Sequence, residues 1–239
     1  QGFAVQNINA NDNFTRDGNN PALPVLLDNE ELSLDENNIS IDLSNLTLNE
    51  IYIDNNSGGH TVKLNNTTLK KDIDLGDSNL KNNVILDNVI VEDIMLGDGG
   101  DRLDLRKSIV NGYIAGTKAH SSNSHHTFNL YSTSVGTLYL GRSGNTLTAV
   151  DSTIDKIDND SLDQTGVNFL TIINSDIGKG IELEKDGGFI HFNNSRIKGD
   201  IDLHGSVNVK LSNNSEANDI FGLGIFSAGK KNSFEITDS

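Results

Sequence analysis

The chain has no cysteine, no tryptophan and only two prolines, Pro21 and Pro24, in 239 residues. Without cysteine, a secreted form would have to hold its fold without disulfides. Aromatic residues make up 5%, too few for a wide globular core of large rings but enough for a narrow one lined by Ile, Leu and Val. Proline removes a ladder hydrogen bond, so its absence after residue 24 suits continuous strand pairing. No apolar run approaches the length of a transmembrane helix, and no signal peptide is recognisable. Positive charge is also scarce. Lys and Arg number 18 against 34 Asp and Glu, a formal charge of −16. That balance argues against nucleic acid and anionic membranes as partners, since either needs a basic footprint.

What is present is a repeat. A motif of the form apolar–x–(Asn/Asp)–(Ser/Thr)–x–apolar recurs about every 21 residues, the range of a solenoid. Clear copies begin at Leu64, Ile172 and Phe192, and weaker ones at Leu43, Leu86, Leu105, Leu130, Ala149, Leu211 and Ile236. The gaps between these anchors run 21, 22, 19, 25, 19, 23, 20, 19 and 25 residues. Short apolar–polar alternations such as Ile73-Asp74-Leu75 and Ile201-Asp202-Leu203 read as strands with one buried face. No helical stripe is sustained after residue 37, which excludes the helical solenoids.

Three short strands and three turns per repeat predict an all-β, right-handed parallel β-helix. At the strand spacing, nine or so coils give a rod on the order of 45 Å long. The second motif position reads Asn45, Asn66, Asn88, Lys107, Ser132, Asp151, Asn174, Asn194, Asn213, Asp238 down the stack. Asn and Asp tolerate the left-handed conformation of a tight turn, and stacked Asn side chains bond from coil to coil. The next position is mostly Ser, Thr or Asn, again turn chemistry. Two residues further on the chain returns inward with Leu48, Leu69, Val91, Val110, Val135, Ile154, Ile177 and Ile197, a column that Glu216 breaks. Residues 1–37 do not fit the period and are expected to form an N-terminal cap, with the β-helix over 38–239. Ser239 follows the Asp of a new motif, so the natural protein is expected to continue.

The segment from Ile94 to Leu105 carries the pattern LGxGxDxLxL, and a relaxed copy runs from Leu138 to Leu147. In pattern and composition, residues 39–239 resemble the β-helical passenger domains of Gram-negative autotransporters, particularly the AIDA-type and self-associating adhesins. The resemblance implies secretion through an outer-membrane β-barrel at the C-terminus, which these residues do not contain. It further implies display on the cell surface, and a role in aggregation, biofilm formation or adhesion. It implies as partners identical passengers on other cells, or a host matrix protein or glycan. The Gly-x-Ser-x-Gly element of a serine hydrolase is absent, and no catalytic residue or cofactor is expected.

Candidate sites compete with plainer readings. Asp98, Asp101 and Asp104 suggest a calcium turn, but one repeat copy cannot complete the ligand cages, so a structural turn is favoured. His120, His125 and His126 could ligate a transition metal, yet their Ser- and Asn-rich surroundings favour a solvent loop over 117–127. Two further loops are candidates, 158–166 with Asp158 and Asp160, and 222–232 with Leu223, Ile225 and Phe226. Lys107 departs from the Asn column and is a candidate for that reason. Asn45, Thr47, Asn66, Thr67 and Asn88 would form a polar edge able to pair with another molecule by many weak contacts, although stacking alone accounts for a regular column. The alternative function is a polysaccharide-binding, lyase or hydrolase β-helix using acidic pairs such as Asp155 with Asp158 or Asp200 with Asp202.

Overall fold

The computed structural model describes residues 5–8, 29, 31–54, 56–116, 125–159, 166–183, 188–204, 207–221 and 233–237. Within these, residues 5–8, 207, 221 and 233–237 are described through their backbone alone. All regular structure among the described residues is β-strand, and every pairing is parallel, between one coil and the next. The molecule is a parallel β-solenoid with three faces.

Face A carries the anchor residues. Its strands include Ser40–Ser44, Arg102–Arg106, His126–Tyr131, Ser143–Val150, Gly166–Ile173, Gly188–Asn193 and Val207–Ser212. Each anchor lies on the next, from Leu43 on Leu64 through Leu130 on Ala149 to Leu211 on Ile236. The uneven gaps are therefore turn insertions that leave the register intact. Face B starts at Thr47–Leu48, and face C includes Glu31–Leu34, Ile51–Ile53 and Asp200–Leu203. Strand alternation sends every second side chain inward, so Ile, Leu and Val fill one continuous core. Phe128 and Phe192 are its largest fully buried members. The expected inward column from Leu48 to Ile197 is buried throughout.

Among the described residues the corner from face A to face B turns on a left-handed residue in nine successive coils. Asn45, Asn66, Asn88, Lys107, Ser132, Asp151, Asn174, Asn194 and Asn213 all have φ between 47° and 59°. Glu216 proves to follow an insertion rather than a break. Asn213 and Asn214 both have positive φ, and the extra residue shifts the chain by one, pairing Arg196 with Glu216 and Ile197 with Ala217.

The residue after the left-handed position is not only turn chemistry. Ser108, Thr133, Ser152, Ser175 and Ser195 are buried, and their hydroxyls form a second column just inside the wall. The N–H groups of Ser108, Thr133, Ser152 and Ser175 donate to the hydroxyls of Thr133, Ser152, Ser175 and Ser195 at 3.0–3.3 Å. Each of those four hydroxyls donates in turn to the carbonyl two residues earlier, as Ser152 does to Val150 at 2.8 Å. Each of these four contacts thus satisfies a backbone donor that the turn would otherwise leave buried and unpaired.

The parallel ladder extends into the segment expected to form the N-terminal cap. Glu31–Leu34 stacks in register on Ile51–Ile53, with Leu32 and Leu34 fully buried, and the backbone of Val5–Ile8 adds a further parallel rung. The Leu–x–Leu pair already satisfies the alternation of a coil strand, which is why the ladder continues through it.

Candidate functional site

The polar edge predicted from the repeat exists, in two runs. Asn66 Nδ2 donates to Asn45 Oδ1 at 3.3 Å, and Asn88 Nδ2 to Asn66 Oδ1 at 2.6 Å. The run stops at Lys107, Ser132 and Asp151, which keep the left-handed backbone without an amide, and resumes where Asn194 Nδ2 donates to Asn174 Oδ1 at 2.9 Å. Asn45, Asn66, Asn88 and Lys107 are exposed. Thr67 does not belong to this outward edge. It is buried and its hydroxyl donates to the Asn65 carbonyl, because the residue after a left-handed turn points inward. Thr47 lies on face B, in register with Thr68.

Where face C turns into face A, a buried polar column runs beneath the wall through His60, Asn82, Asp101, His126, Asn145 and Asn168. Each side chain except that of Asn145, which bonds the Gly141 backbone, reaches the coil before it. Ile39 N–H donates to His60 Nδ1, His60 N–H to Asn82 Oδ1, Asn82 N–H to Asp101 Oδ1, and Asp101 N–H to His126 Nδ1, all at 2.8–3.1 Å. The column ends with Asn145 Nδ2 donating to Asn168 Oδ1 at 2.8 Å.

This column overturns the solvent-loop expectation for His126, which opens a strand and is fully buried. His125 is exposed and bonds Thr146 Oγ1 at 2.8 Å. The two rings lie on opposite sides of the wall and cannot share an ion. Nδ1 of both His60 and His126 accepts a backbone N–H, so both rings are held neutral, and burial pushes each down to about 4. The Gly116 backbone pulls His126 weakly the other way, although its Nε2 makes no hydrogen bond of ordinary geometry. Asp101 also receives Gly97 N–H at 2.7 Å, yet burial outweighs its bonds and raises it to about 6. Asp101 faces inward while Asp104 lies on face A bonded to Arg102 at 2.9 Å, so these two do not form one calcium shell.

Several of the acidic groups on faces B and C are paired with lysines. Asp158 pairs with Lys156 at 3.1 Å, and Asp155 with Lys179 at 3.2 Å. Glu182, Asp202 and His204 lie close enough to surround a cation, but Lys156 already reaches Glu182 at 3.9 Å. His120, Asp160 and loop 222–232 lie outside the described residues. The predicted site residues are thus spread over a corner, three faces and the interior, and do not converge on one centre.

Face A holds the feature that motif reading missed. Four consecutive strands, His126–Tyr131, Ser143–Val150, Gly166–Ile173 and Gly188–Asn193, carry no Asp, Glu, Lys or Arg. Their outward side chains include Thr127, Asn129, Tyr131, Thr146, Thr148, Phe169, Thr171 and Phe189. Phe169 and Phe189 stack with centroids 5.4 Å apart and planes 5° from parallel, and stand 45% and 49% exposed. The signal was available: it sits three before, one before and one after each anchor. At one end of the strip the Arg106 guanidinium lies 4.9 Å from the Tyr131 ring centre. At the other a pocket of about 280 Å³ opens between Phe169, Phe189, Asn208 and Lys210.

No family model matches the chain, and neither a curated protein nor a solved structure matches it.

Proposed function

We propose that the protein is a surface-displayed adhesin, the passenger part of an autotransporter-like system, which promotes aggregation by pairing with copies of itself or with host matrix. The observation that carries this reading is the exposed amide ladder. Asn66 spends one N–H and one oxygen lone pair inside the stack, and an amide has two of each. On Asn66 the remainder sits at the exposed corner, and many weak bonds repeated along a rigid rod add by multivalency. Corner-to-corner pairing also keeps the acidic faces of two rods splayed apart, which a chain of charge −16 requires.

The test is aggregation of cells displaying the chain, followed by settling, with Asn66, Asn88, Asn174 and Asn194 replaced by Gly. Glycine keeps the left-handed turn, so the fold survives while the amides are lost. Settling is expected to slow severalfold. Unchanged settling, with unchanged attachment to immobilised matrix protein, rejects the ladder as the adhesive edge.

A further inference from the structure

The uncharged strip of face A is unusual for this molecule. Charged residues make up 22% of the chain, yet four adjacent rungs of face A present none outward, while faces B and C carry charges of both signs, among them Asp155, Asp158, Glu182, Lys156 and Lys179. Coulomb repulsion among acidic groups would favour spreading cations and anions evenly, so a strip cleared of both signs points to a ligand that offers no charge. Its outward groups are of two kinds. Hydroxyls and amides stand at Thr127, Asn129, Thr146, Thr148 and Thr171, and apolar surfaces at Tyr131, Ile173, Phe169 and Phe189.

We infer that this strip binds a linear, neutral polysaccharide of β-linked pyranoses lying along the rod. Such a chain offers what the strip can use: flat C–H faces for aromatic side chains and hydroxyls for Thr and Asn, with no charge to desolvate. Strands repeat at about 4.8 Å, close to the rise of an extended sugar chain, so successive sugars meet successive rungs. The pocket between Phe189, Asn208 and Lys210 seats one ring against Phe189, with Thr171 and His191 at its side. His191 is already oriented by Ser212, 2.8 Å from its Nε2. No carboxylate lines this pocket among the described residues.

A second copy of the protein fits the strip less well. Each copy carries a net charge of −16, and packing face to face would bring the two within a Debye length of each other, about 8 Å at physiological salt. A thin uncharged polymer adds no such cost. The site is separate from the amide ladder, which lies on the corner.

Native gel electrophoresis of the full chain through gels containing a neutral β-1,4-glucan, a neutral β-1,3-glucan or polygalacturonate tests the inference. At least one neutral glucan is expected to retard the protein. Phe189→Ala should weaken that retardation tenfold or more, while Phe189→Tyr retains most of it. Position 189 faces solvent, and circular dichroism melts confirm the fold of each variant. Retardation by polygalacturonate alone overturns the neutral assignment, as does a Phe189→Ala variant that binds like its parent. If no gel retards the protein, the inference fails. Should sedimentation then show an oligomer that Phe189→Ala dissociates, the strip is a protein interface instead.

Discussion

At the scale of single residues, the decisive chemistry is the acceptor role of histidine Nδ1. Asp101 N–H points at Nδ1 of His126, and a protonated ring would set two donors against each other inside a dry wall. His126 falls to about 4 in the fold from an ordinary 6.5. The unfolded chain therefore takes the proton first, and the stability His126 contributes is present above pH 6.5 and lost as pH falls toward 4. The full loss is roughly 3 kcal/mol. Asp101 acts oppositely. Its carboxyl is raised from 3.8 to about 6, so acidification through that window relieves a buried charge. His126→Asn places in the column the residue type already found at Asn82 and Asn145. Urea unfolding at a series of pH values should show this variant gaining on the parent by about 3 kcal/mol between pH 6.5 and 4. Parallel stability curves would reject the neutral-acceptor role.

At the scale of the element, one turn is built from two neighbouring residues with opposite duties. The left-handed residue sets the corner and its side chain faces water. The hydroxyl residue that follows folds inward and closes a backbone donor of the preceding coil. Ser152→Ala would leave the Thr133 N–H unpaired in the interior, at a cost of about 1–3 kcal/mol. Ser152→Thr should be tolerated, since Thr133 occupies the same column. Chemical denaturation measures both, with the exposed Thr153→Ala as reference. An alanine at 152 no more damaging than at 153 would show that the buried column adds nothing.

At the scale of the molecule, every coil touches only its neighbours, so stability is a sum of local terms along one axis. Phe128 stands between Leu103 and Leu147 in the core, and Phe128→Ala should cost about 3–5 kcal/mol. Hydrogen exchange is expected to rise first in Arg102–Arg106 and Ser143–Val150, while Ser40–Ser44 keeps its protection. A uniform rise along the rod would mean that the solenoid opens as one unit. The same geometry distributes charge. Stacking gathers residues about 21 positions apart in sequence into one outward column, and so one face can be cleared of charge in a chain that is acidic overall.

The repeat, its anchors, the left-handed corner from Asn45 to Asn213 and the inward Leu/Ile/Val column were all legible in the sequence, because each depends on a residue's own backbone preference and on alternation along a strand. The buried place of His126, the inward turn of Thr67 and the insertion at Asn214 were not. Each depends on which side of the wall a residue faces once its coil is stacked, and polar residues at a corner look alike in sequence whether they face water or a backbone donor one coil away. The uncharged strip stands between the two classes, since its positions follow from the anchors but their union into one face does not. Its residues are unremarkable one by one, and only lateral stacking of four coils makes them a surface.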